Sequence, residues 1–204
     1  MNNLGYLTET ISQTAGPYVH IGLAPGAAGF KTYDRELGEA IAPEGVAGQR
    51  VRVEGLVLDG LGTPVKDVLI EVWQADSNGI YPHPEDARSA DCAAGFRGWG
   101  RVISDFETGL FVFDTIKPGA TPGRGKSMQA PHLSLWLVSR GINIGLNTRM
   151  YFPEDGDLHK SDPILNAVEQ PIRRQTMIAV QTAPNTYRFD IRLQGEGETV
   201  FIDV

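Results

Sequence analysis

From residue 50 onward the chain is cut into short apolar runs, most of them closed by glycine, proline or a small polar cluster. None of these runs is long enough to make a helix of ordinary length, so this stretch of the chain can bury them only as strands. Val51, Val53, Gly55 and Val57 alternate with Arg52, Glu54, Leu56 and Leu58, and Asp59-Gly60 followed by Leu61-Gly62 marks a turn. Alternation with period two places each set on one face of a strand. Residues 68–73 are apolar except for Glu71, as expected of a buried strand, and further runs stand at 110–113, 133–138, 149–152, 177–180, 187–193 and 199–202. No internal repeat accompanies them. Short strands at this spacing, with 24 glycines and 13 prolines to supply turns, predict an all-β chain: an antiparallel β-sandwich with few short helices.

Residues 1–48 are different in kind. Thr14-Ala15-Gly16-Pro17-Tyr18 and Ala24-Pro25-Gly26-Ala27-Ala28-Gly29 are loop-like, and only residues 34–41, behind Asp34 as N-cap, offer a short helix. Such a segment cannot stabilise itself and must lie against its own domain or a partner. The expected division is therefore an N-terminal arm, 1–48, and a sandwich, 49–204. A second helix is predicted after Ser161-Asp162-Pro163, with Asp162 capping, Pro163 at the first helical position, Ile164, Leu165 and Val168 on one face, and Pro171 as its stop.

The formal charge is -7 and no Lys/Arg run stands out, which argues against nucleic acid or an anionic membrane as partner. One cysteine, Cys92, excludes an intramolecular disulfide and a Cys-rich zinc site. MNNLGYLTET has no basic flank or apolar core, and no stretch approaches the ~18 apolar residues of a membrane span. The natural compartment is a reducing cytoplasm.

Candidate chemistry is sparse. His20, His83, His132 and His159 include no pair at i,i+2 or i,i+4. Tyr81, His83, Glu85 and Asp86 are the only dense donor group, and they sit in a loop between prolines. His132 and Ser134 share a strand face, yet lack the strained elbow a hydrolase nucleophile needs. Arg140 ends an apolar strand before Gly141; an arginine there can grip a carboxylate through two parallel bonds or simply sit at a sheet rim.

Several blocks carry more. Glu54-Gly55-Leu56-Val57-Leu58-Asp59-Gly60, Ile70-Glu71-Val72-Trp73-Gln74-Ala75-Asp76 with Gly79 and Tyr81, Gly98-Trp99-Gly100-Arg101, Phe113-x-Thr115-Ile116-Lys117-Pro118-Gly119 and Ala130-Pro131-His132 occur in order. The series resembles the intradiol ring-cleavage dioxygenases and covers most of residues 12–204. The resemblance implies a non-haem Fe(III) site of two tyrosines and two histidines that binds a catechol for attack by dioxygen. Here the His-x-His position reads His132-Leu133-Ser134, Ala120-Thr121 stands where one tyrosine would follow the Lys-Pro-Gly turn, and residues 86–96 hold no other tyrosine. One of four ligands remains, so no catalytic or metal-binding residue is expected in this chain. One branch of the family is built from two homologous chains, of which only one, the beta chain, keeps the ligands. The strings at residues 12–22, 140–144 and 194–201 are similar to those of the ligand-free chain. The resemblance then implies a hetero-oligomer of homologous chains, with Fe(III) bound by the partner. It further implies that Thr14, Gly16 and Pro17 line a wall of the pocket for a small aromatic acid and that Arg140 faces its carboxylate. Two alternatives are a self-sufficient enzyme, which needs the full ligand set, and a non-catalytic β-sandwich binding module, which needs no partner.

Overall fold

A computed structural model of the chain describes residues 14–16 and 18–203. Two sheets face each other. In one, β2 (Leu69–Trp73) lies between β3 (Trp99–Ile103) and β7 (His132–Val138), and β8 (Leu146–Tyr151) pairs the far side of β7. All its pairings are antiparallel, Leu69 standing opposite Val138 and Ser134 opposite Arg149. The other sheet is built around β1 (Arg50–Leu58), which pairs antiparallel with β4 (Leu110–Ile116) along its length. The remaining pairings of β1, with β10 (Thr186–Arg188) and β11 (Ile191–Arg192), are parallel, and β9 (Val180–Ala183) closes that edge. The sandwich is thus as expected, with one mixed sheet. A small ribbon of β5 (Thr121–Pro122) and β6 (Met128–Gln129) stands apart.

Val51, Val53, Phe111, Phe113, Tyr187 and Ile191 from one sheet meet Ile70, Val72, Leu133, Leu135, Leu137 and Met150 from the other in one core. These are the alternate residues of each strand, so the period-two pattern sets which side of each sheet is buried. The complementary residues of the β3-β2-β7-β8 sheet form an outer face. It carries Glu71, Trp73, Trp99, Arg101, His132, Ser134, Trp136, Asn147 and Arg149, including all three tryptophans of the chain.

Three expectations need correction. Residues 34–41 form no helix: Gly38 has φ +79°, its carbonyl accepts from Arg101 N–H at 2.9 Å, and an added Cβ would meet that nitrogen at 2.7 Å. Docking onto β3 outweighs helix propensity there. The helix after Asp162 is real but shorter. In α3 (Pro163–Ala167) Asp162 accepts from Ile164 and Leu165 N–H, Val168 is already extended, and Pro171 opens α4 (Pro171–Arg174) rather than stopping α3. Residues 199–202 lie along β8 without joining it as a strand; the Asn147 carbonyl accepts from Ile202 N–H at 2.7 Å, and Thr148 Oγ1 donates to Val200 O at 2.8 Å.

The Trp-Gln-Ala-Asp block is structural. Gln74 Nε2 donates to the Ile116 carbonyl and Gln74 Oε1 accepts from Thr115 Oγ1 at 2.6 Å, tying the two sheets together. Asp76 accepts from the N–H groups of Asn78, Ile80 and Ala93. Gly79 (φ +73°) is fixed as glycine by the Ala120 carbonyl, which a Cβ would meet at 1.9 Å. The described part of the first 48 residues holds one helix, α1 (Tyr18–Leu23), and buries Ala24, Ile41, Ala42 and Val46 against the sandwich. No helix of the described residues is long and apolar enough to cross a membrane.

Candidate functional site

The outer face has two chemically distinct ends. At one end, β7 runs out into the turn that carries Arg140. Continuing the Leu69–Val138 register by two residues brings Asp67 opposite Arg140. The Arg140 Nε donates to Asp67 Oδ2, while Ser139 Oγ donates to Asp67 Oδ1 at 3.0 Å. From the other side Thr14 holds the same turn, its Oγ1 accepting from Gly141 N–H at 2.8 Å and facing the Ser139 carbonyl at 3.4 Å. Arg140 remains 63% exposed against 16% for Asp67, so the ion pair is anchored at its carboxylate and open at its cation. A Cβ on Gly16 would meet nothing within 4 Å, which leaves its backbone approachable. Pro17 lies outside the described residues.

His20, on α1, is buried beside this group. Its Nε2 has no partner among the described residues and its ring meets Phe106 edge-on at 5.4 Å. Burial lowers its pKa, the Asp67 carboxylate opposes that, and the Arg140 charge adds to the lowering.

At the other end sit the positions that the sequence marked for metal. His132 is buried; its Nδ1 is 2.7 Å from the Ala130 carbonyl and its Nε2 faces the Tyr81 hydroxyl at 3.5 Å, the outer limit of a hydrogen bond. Tyr81 stacks on Trp73 at 5.6 Å. Ser134 stands opposite Arg149, whose Nη1 donates to Gln129 Oε1 at 2.6 Å. Burial first, and the Arg149 charge second, hold the His132 pKa down to about 4. Burial raises the Tyr81 pKa, and Arg149 opposes the rise. The imidazole is therefore neutral at and above pH 5.5. An NMR titration of His132 should show no transition between pH 5.5 and 8; a midpoint near the ordinary 6.5 would contradict this burial.

The loop with Tyr81, His83, Glu85 and Asp86 does not converge on a metal. Asp86 is engaged by Arg88 through Nε at 3.0 Å and Nη2 at 2.8 Å, and by Tyr81 N–H. The Arg88 bonds pull its pKa down to about 2. His83 and Glu85 are exposed. Among the described residues no three His, Cys, Asp or Glu side chains gather as a metal-holding group.

Comparison with known proteins decides the family. A family model described as Dioxygenase matches residues 32–195. The protocatechuate 3,4-dioxygenase alpha chain of Pseudomonas putida is 46% identical over 200 residues, 97% of either chain. The chain belongs to the intradiol dioxygenase family. A beta chain of protocatechuate 3,4-dioxygenase, from Burkholderia cepacia, is 38% identical over 74% of this chain and 67% of that one. The solved hydroxyquinol 1,2-dioxygenase of Pseudomonas putida DLL-E4 superposes with a TM-score of 0.55 over 80% of this chain and 62% of that one; at 21% identity it speaks for the fold alone.

Intradiol dioxygenases work with non-haem Fe(III), and the His132 end is where this chain would hold it. The residues do not fit. One imidazole faces a hydroxyl of raised pKa, Thr121 and Ser134 are weak neutral donors, and the fixed cation Arg149 is nearby. The sequence singled out Arg140 and the positions where other residues stand in place of ligands, and it gave no role to Asp67, His20 or Arg149. The signal for Asp67 was the antiparallel register, which pairs it with Arg140 once β2 and β7 are recognised as neighbours.

Proposed function

We propose that this chain is the alpha-type subunit of a protocatechuate 3,4-dioxygenase, supporting intradiol cleavage of 3,4-dihydroxybenzoate to 3-carboxy-cis,cis-muconate in cytoplasmic aromatic catabolism. The observation that carries this reading is the separation of the two ends of the outer face. His132 opens β7 and Arg140 lies in the turn just past its far end, so at ~3.3 Å per residue the strand alone puts roughly 20 Å between them. Arg140 is too far to touch a ring bound at its own chain's His132 end. It can reach a catechol only at an iron held by another chain.

A homologous beta chain with the full ligand set, stacked on this outer face about a pseudo-two-fold axis, meets that need. The axis sets the Arg140 end of one chain against the ligand end of the other. Fe(III) held by the beta chain carries the ring-opening chemistry. This chain's part is to bind and orient. Arg140 grips the substrate carboxylate, Thr14 fixes the arm to the Arg140 turn, and the Gly16-Pro17 backbone lines the wall beside the flat ring. The overall likeness to the two-chain enzyme's alpha chain supports this arrangement, and a plain binding module would have no use for it.

Purified alone, the chain should be colourless and without ring-cleavage activity. Produced together with a beta chain that carries the ligands, it should yield an iron-loaded complex that cleaves 3,4-dihydroxybenzoate. Stoichiometric iron and turnover in the lone chain would refute the assignment.

A further inference from the structure

We infer that Asp67 is a positioning residue for substrate recognition, holding the Arg140 guanidinium so that its open edge is presented to the aromatic acid. The inference rests on the carboxylate role proposed for Arg140 and extends it to a residue that does not touch the substrate. An arginine at a strand end with 63% of its side chain exposed ordinarily samples many rotamers, and that freedom is lost on binding. Here the loss is met in advance. Asp67 lies at the cross-strand position of Arg140, is itself largely buried, and divides its two oxygens between Ser139 Oγ at 3.0 Å and Arg140 Nε. It therefore fixes both the start of the turn and the side chain that follows.

The geometry also leaves the correct edge open. The carboxylate takes the Nε side, and among the described residues the two terminal nitrogens of Arg140 have no hydrogen-bond partner. Those terminal nitrogens form the end of the fork and can donate to a second carboxylate end-on. Two effects of Asp67 oppose each other: its charge weakens the positive field met by an anionic substrate, and its tether removes the ordering cost. Charge compensation at an exposed cation is screened by water. The tether is a direct hydrogen bond to a largely buried carboxylate, which water weakens less than it weakens the field around the exposed cation, so positioning dominates.

The test uses the assembled two-chain enzyme, with KM and kcat measured for 3,4-dihydroxybenzoate and for catechol, which lacks the carboxylate. Asp67→Ala is expected to raise the KM for the acid about five- to tenfold, the worth of one freed side chain. Its kcat and the KM for catechol should stay within about twofold. Asp67→Asn, which keeps an acceptor in place, should rescue part of that loss, and it carries the test if the alanine variant does not assemble with normal iron content. Equal changes on both substrates, no change in either variant, or a lowered KM for the acid would overturn the inference. Arg140→Ala is run alongside. If it discriminates between the substrates while the Asp67 variants do not, only the Asp67 inference fails; if it does not discriminate, the carboxylate role of Arg140 fails first.

Discussion

Arg140→Ala is expected to raise the KM for 3,4-dihydroxybenzoate by roughly 10- to 100-fold in the assembled enzyme, the range of a lost charge-assisted hydrogen-bond pair. The KM for catechol should change by no more than about threefold, because catechol offers nothing for the guanidinium to hold. The selectivity follows from position. Arg140 is anchored through Nε to Asp67 and its turn is pinned by Thr14, so removing the side chain deletes a placed cation without disturbing the core. Arg140→Lys should recover little, since an ammonium supplies charge but not the planar two-point fork. Steady-state kinetics on the two substrates check the result, and an equal loss on both would remove the carboxylate role.

The second large effect concerns stability. Asp162 is fully buried and makes four bonds. Oδ1 accepts from Ile164 N–H, Leu165 N–H and the Tyr151 hydroxyl, and Oδ2 accepts from Ala130 N–H at 2.8 Å. One side chain thus caps α3 and anchors it to the residues that precede β7. Asp162→Ala removes an N-cap, worth about 1–2 kcal/mol, and strands a buried amide, worth about 1–3 kcal/mol more. The expected fall is about 3 kcal/mol, or ~6–12 °C in Tm for a chain of this size. Thermal unfolding reads the total, and hydrogen exchange at the Ala130 amide should accelerate in parallel. A shift under about 2 °C would show that water replaces the carboxylate.

Much of this was legible in the sequence for a local reason. Strand alternation in Val51 to Val57 and the Asp162-Pro163 cap depend on neighbours a few residues away, and both appear in the fold. The misses depend on distant partners. Residues 34–41 lack a helix because Arg101 lies across Gly38. The parallel pairings of β1 arise from strands more than a hundred residues later. The site divides the same way. Arg140 stood out in the sequence as a cation at a strand end, while its proposed role and the substituted ligand positions came from the resemblance. Asp67, by contrast, is far from Arg140 along the chain and gains its meaning only through the register of β2 and β7.

The distance between the two ends of the outer face also bears on how such a chain changes over generations. In the arrangement proposed above, with the chemistry at a partner's metal, selection would act on the two ends separately. The Arg140 turn would be constrained by a substrate shared with another polypeptide. The His132 end would answer only to packing. That freedom would accommodate the buried imidazole, the serine and the arginine that stand at this end. Duplication of an ancestral self-paired enzyme would leave two identical sites per pair; once one copy drifts, the pair is committed to two genes, and neither chain can replace the other.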